Sequence, residues 1–122
     1  MKRSLDDSDE VVAERIALLR ALAATDPADA TAHFLLGREL ATLGQADEAA
    51  EAFAHAIAAN PDYTAAYRQL GNTLEASGRA EAAAETYRRG IEVAERTKDL
   101  QAGKEMRAFL KRMQRAGFGR TS

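Results

Sequence analysis

Displaced by 34 residues, this chain of 122 overlays on itself. Leu36 and Gly37 fall over Leu70 and Gly71, Leu40 over Leu74, Gly44 over Gly78, Ala49 and Ala50 over Ala83 and Ala84, Phe53 over Tyr87, and Ile57 over Ile91. The breaks keep the same step, from Asp26 and Pro27 to Asn60 and Pro61. Self-similarity of this length means one supersecondary unit used more than once, because each unit buries its apolar face only against a copy of itself. The length suits one domain with a real core.

The unit reads as helical. Val12, Ile16, Leu19 and Ala23 recur at helical spacing, and no segment alternates with the period of two that a strand requires. A first helix is expected over about Asp9 to Ala24, ended by Asp26 and Pro27, because the residue before proline is pushed out of the helical region. A second, near Asp29 to Leu43, carries Ala32, Leu36 and Leu40 inward and closes at Gly44. A third, near Ala46 to Ala59, turns Ala49, Ala50, Phe53 and Ile57 inward. The next pair repeats this, but Glu95 stands where Pro61 stood, so the fifth helix is free to run on to about Thr97. A sixth, about Leu100 to Arg115, sets Met106, Phe109, Leu110 and Met113 among lysines and arginines, as a soluble lid on the open end of a stack would.

Composition narrows the chemistry. The chain has no cysteine, hence no disulfide framework, thiol nucleophile or thiolate metal site. Its basic start, Lys2 and Arg3, is followed by acid rather than by the apolar run of a secretory signal, and nothing resembles a membrane span, so a cytoplasmic protein is expected. The net charge of −2 divides unevenly: residues 1–96 hold ten basic against seventeen acidic side chains, residues 97–122 seven against two. A basic end of this kind can contact nucleic acid, but no interleaved aromatics or Gly-rich loop accompany it, and a solvated helix face is the simpler reading. His33 and His55, the two histidines, lack the spaced partners of a metal or triad arrangement, and Asp47, Glu48 and Glu81 sit in first turns where the helix dipole favours acid. No enzyme, metal or cofactor is expected.

On these residues the chain resembles the tetratricopeptide repeat family, whose unit is a 34-residue pair of antiparallel helices. Leu36, Gly37, Gly44, Ala49, Phe53, Ala56 and Pro61 match one copy; Tyr67, Leu70, Gly71, Leu74, Gly78, Ala83 and Tyr87 match a second, which departs at Gly90 and Glu95. The resemblance implies an all-α fold, a short α-solenoid of about six helices. Its expected divisions are a disordered start (1–8), a single domain (9–116) made of a half-repeat (9–27), two repeats (30–63 and 64–97) and a capping helix (98–116), and a disordered tail (117–122).

The resemblance also implies a function. In such proteins the first helix of each unit lines a groove that accepts a segment of a partner. By position the groove residues would be Thr31, Phe34, Arg38 and Thr42 in the first copy and Ala65, Arg68, Asn72 and Glu75 in the second. Arg68 and Asn72 occupy places where some members clamp a terminal carboxylate; the alternative is that Arg68 pairs with Glu75 or faces water. The expected role is a protein-interaction adaptor or scaffold with a protein or peptide partner. The alternative is a homodimer formed through the half-repeat, sharing the stripe of Val12, Ile16 and Leu19. Nucleic-acid contact by the basic helix is the weakest of the three readings.

Overall fold

The computed structural model describes residues 5–117. Among them are six α-helices and no strand: α1 (Leu5–Thr25), α2 (Ala30–Thr42), α3 (Ala46–Ala59), α4 (Thr64–Ala76), α5 (Ala80–Thr97) and α6 (Leu100–Arg115). Of the ends expected to be disordered, residues 1–4 and 118–122 lie outside the described residues. α1 begins at Leu5 rather than Asp9, because nothing between Leu5 and Val12 breaks a helix. Helix α5 does continue to Thr97.

Short local signals make each reversal. Asp26 Oδ1 accepts from the Ala28 amide at 3.2 Å, and Asn60 Oδ1 accepts from the Asp62 amide at 3.1 Å, so both proline turns are braced alike. Asp29 caps α2 by accepting from the Ala32 amide at 3.1 Å, and Asp99 caps α6 by accepting from the Ala102 amide at 3.2 Å. α2 and α4 end at Gly44 and Gly78, whose φ of 77° and 81° glycine adopts without strain. At the end of α5 the same left-handed turn is made by Lys98, φ 62°.

Each helix packs on the next in sequence, and the backbone of α4 also approaches those of α2 and α6, whereas the backbones of α1, α3 and α5 stay apart, α1 and α3 being bridged by the Arg20–Glu48 ion pair at 3.5 Å. Closer spacing on one side bends the stack toward α2, α4 and α6, which therefore line its concave face. The core lies between the two layers, with Phe53, Tyr87, Leu40 and Met106 among its most enclosed side chains. Two crossings set the pitch. Gly37 lies beneath the Phe53 ring, where a Cβ would come within 2.6 Å of it, and Gly71 lies beneath the Tyr87 ring, which a Cβ would strike.

The apolar stripe of α1 is spent internally. Ile16 is buried, and Val12 and Leu19 pack against the core on α2, so the stripe expected to be shared with a second copy is covered within the chain. Another stripe, Val11, Leu18 and Leu22, is left exposed.

Candidate partner-binding groove

Two clefts share the concave face. One, about 420 Å³, is bounded by Ala41, Gly44 and Ala46 on one side and by Gln69, Asn72, Thr73 and Ala76 of α4 on the other. The second, about 430 Å³, lies between α4 and α6 and is lined by Asn72, Glu75, Ala76, Phe109 and Arg112. Asn72 and Ala76 belong to both, so the two clefts adjoin at these residues of α4, and together they run as a groove from α2 past α4 to α6 with Asn72 near its middle.

Asn72 and Glu75, expected from their positions, line this channel. Thr31, Arg38 and Thr42 are exposed on α2, and Ala65 is half-buried on α4. Arg38 makes no ion pair among the described residues. Two expectations need correcting. Phe34 does not present itself to a groove: it is 8% exposed and stacked between Phe53 (ring centroids 5.7 Å apart) and Tyr63 (4.8 Å), because the turn before α4 carries the Tyr63 ring onto it. Arg68 is paired with Glu105 rather than with Glu75 or with nothing; its Nη1 lies 2.5 Å from Glu105 Oε1 on α6. Sequence spacing placed Glu75 in reach because both residues lie on α4, but the adjacent α6 offers Glu105 directly.

α6 is therefore fastened to α4 along the concave rim. Besides Arg68 and Glu105, Arg112 Nη2 meets Glu75 Oε2 at 2.6 Å, and Thr64 Oγ1 donates to Asp99 Oδ2 at 2.5 Å. These contacts leave their mark on proton affinities. The Thr64 hydroxyl, then the Ala102 amide, hold the Asp99 carboxyl below its usual range. Glu105 is lowered by the Gln101 amide and by Arg68, while Glu75 raises the affinity of Arg112.

Sequence position did not reveal the most constrained group beneath the channel. The Tyr87 ring, wholly buried, reaches from α5 across Gly71 toward the concave side. Its Oη lies 2.6 Å from Asn72 Oδ1 and 2.9 Å from Glu75 Oε1, and Phe109 packs on the ring at 5.5 Å. Burial first, and the Glu75 carboxylate second, push the phenol pKa up, so the hydroxyl keeps its proton. Gln69, Ala76, Phe109 and Arg112 were also missed. Only the position of α6 beside α4 brings the last two to the channel.

The histidines meet on the outer side, ring centroids 5.3 Å apart, with His33 Nε2 at 2.9 Å from the Pro27 carbonyl oxygen. Among the described residues no group of three or more His, Cys, Asp or Glu is placed to hold a metal. No described helix is long and apolar enough to cross a membrane. On α6, Arg107 pairs with Glu95 at 2.6 Å, so together with Arg112 two of its basic residues are used within the stack, while Lys104, Lys111 and Arg115 face outward.

The fold and its 34-residue crossings define a helical-repeat scaffold. The tetratricopeptide repeat family model matches residues 40–106, more than half of the chain, and the chain belongs to this family. It is similar to a Bordetella parapertussis protein of known structure at 30% identity, with a TM-score of 0.71, over 83% of this chain and 88% of that one. A tetratricopeptide repeat domain protein from Salinibacter ruber aligns at 26% identity and TM-score 0.72, over 80% of this chain and 98% of its own. The crystal structure of a MamA protein aligns at 26% identity and TM-score 0.64 over 69% of this chain. The chain spans about half the length of the MamA chains it matches, 46% and 52%. No curated protein sequence matches it.

Proposed function

We propose that this chain is a protein-interaction module that holds an extended segment of a partner protein in the channel of α2, α4 and α6. The observation that carries this reading is that two clefts on this face adjoin at Asn72 and Ala76. Their walls suit a polypeptide. Ala41, Ala46 and Ala76 leave room for a side chain, while Gln69, Asn72, Thr73, Glu75 and Arg112 supply donors and acceptors for a main chain that loses water on entry. Thr31, Arg38, Thr42 and Ala65 extend the surface along α2 and the start of α4, and the described helices span a short stretch of partner. A terminal carboxylate is not the favoured ligand: Arg68, the residue suited to clamp it, is engaged by Glu105, and Glu75 places negative charge beside Asn72. A photo-reactive residue at Ala76 should cross-link to a partner in a lysate of the parent cell, whereas the same residue at exposed Ala82 on α5 should not. Equal labelling from both positions would mean that the groove is not where the partner binds.

A second reading, association of two copies through α1, is favoured by one observation. Val11, Leu18 and Leu22 are 47%, 60% and 47% exposed, and Leu35 of the adjacent α2 is 39% exposed. Like-to-like pairing suits this face better than a head-to-tail stack, since the opposite end of the molecule presents Lys104, Lys111 and Arg115. Sedimentation should then show a dimer at high micromolar concentration that the L18E/L22E variant abolishes; a monomer throughout would dismiss it.

A further inference from the structure

Resting on the groove reading, the geometry around Tyr87 says which chemical group the channel's midpoint offers a partner. A phenol carries one proton and accepts through its oxygen lone pairs. Here Oη stands within hydrogen-bond reach of both the Asn72 amide and the Glu75 carboxylate, and it can donate to one of them only. The carboxylate is the stronger acceptor, because charge-assisted bonds outweigh neutral ones, and Arg112 holds it in place at 2.6 Å. The proton therefore belongs to the bond with Glu75. That leaves the phenol oxygen as an acceptor facing the amide, and a carboxamide has the same shape at either end, so it satisfies the spacing by turning its NH₂ inward.

We propose that Arg112, Glu75 and Tyr87 act as a positioning chain that holds Asn72 with Nδ2 donating to Tyr87 Oη and Oδ1 facing the channel. The midpoint of the groove then presents an acceptor, and its complement is a main-chain N–H of an extended segment, not a carboxylate. The same orientation accounts for the use of tyrosine here. Phe53, at the same place in the first repeat, fills the same space over Gly37 but has nothing to orient, since the counterparts of Asn72 and Glu75 are Arg38 and Ala41. Phenylalanine at this place is thus compatible with the fold, and Tyr87→Phe removes one buried oxygen.

Two arms of one experiment decide the matter. In the first, NMR on the uniformly ¹⁵N,¹³C-labelled chain without ligand should show the Asn72 side-chain NH₂ protons close to the Tyr87 ring, one of them protected from exchange, with both features lost in Y87F. An Asn72 NH₂ that exchanges freely in the native chain and shows no proximity to that ring would overturn the orientation. In the second, a twelve-residue peptide selected from a random displayed library on the native chain, amidated at its C-terminus, is scanned with N-methyl residues. One position should lose about tenfold in affinity in the native chain and nothing further in N72A, and Y87F should weaken the parent peptide about threefold to tenfold, the worth of one hydrogen bond. A peptide indifferent to N-methylation, or to Y87F, refutes the acceptor role. If the library yields no binder of the channel, the groove reading itself fails, while the first arm still settles which way the amide points.

Discussion

The two complete repeats share a skeleton and differ at its centre. In both, a glycine of the first helix lies under an aromatic ring of the second, Gly37 under Phe53 and Gly71 under Tyr87. In the first repeat the ring is hydrocarbon throughout, and the residues beyond it, Arg38 and Ala41, are exposed and uncommitted. In the second, the hydroxyl passes through to the concave side and ties Asn72, Glu75 and Arg112 together. The period of 34 specifies where the core goes, and a single oxygen added to a core residue is enough to tie the concave side of one copy into a hydrogen-bonded network.

The strongest way to disturb both copies is to fill the crossings. Gly37→Ala and Gly71→Ala each gain up to about 1 kcal/mol of helix propensity. Overpacking costs about 1–3 kcal/mol and prevails here, because ring carbons clamped in the core cannot retreat. Thermal unfolding should show both variants destabilised, Gly71→Ala more so, since the Tyr87 ring is pinned at its hydroxyl end as well.

Exchanging the rings tests the difference itself. Phe53→Tyr should cost about 1–2 kcal/mol, because Arg38 and Ala41 provide no acceptor for the new hydroxyl. Adding Arg38→Asn and Ala41→Glu should recover part of that loss, readable as a rise in denaturant midpoint. Tyr87→Phe should cost about 1 kcal/mol, the net worth of the hydrogen bonds removed, with the slope of the denaturant transition unchanged.

Acid should separate the repeats next. Asp99 and Glu105 both have carboxyl pKa values held below normal in the folded chain, by Thr64 and by Gln101 and Arg68. A depressed folded value contributes stability that is present above the unfolded carboxylate range, about pH 4, and is lost as pH falls through the lower folded value. Amide exchange should therefore accelerate in α6 before it does in α2 and α3 as the pH drops below about 4. Asp99→Asn should flatten that difference. Smallest of all, Arg68→Ala should change stability by less than about 1 kcal/mol, because the pair with Glu105 is about one-third exposed and screened by water.

Much of this was legible without coordinates. The period, the proline and glycine stops, the continuation of α5 past Glu95 and the span of α6 all follow from local rules that neighbours along the chain obey. What stayed hidden depends on neighbours in space. Phe34 reads as a surface residue of its helix until Tyr63 folds over it, Arg68 has a plausible partner on its own helix until Glu105 arrives from α6, and Tyr87 reads as core filling because nothing in a sequence says which way a hydroxyl leaves the core. His33 and His55, 22 positions apart, likewise meet only in the fold.

Whether the concave groove holds a partner segment is decided by a backbone and side-chain NMR titration of the native chain with the library-selected amidated peptide. Perturbations should concentrate on Ala41, Gln69, Asn72, Ala76, Phe109 and Arg112, with the outer faces of α3 and α5 silent. Perturbations confined to α1, or to those outer faces, would contradict it.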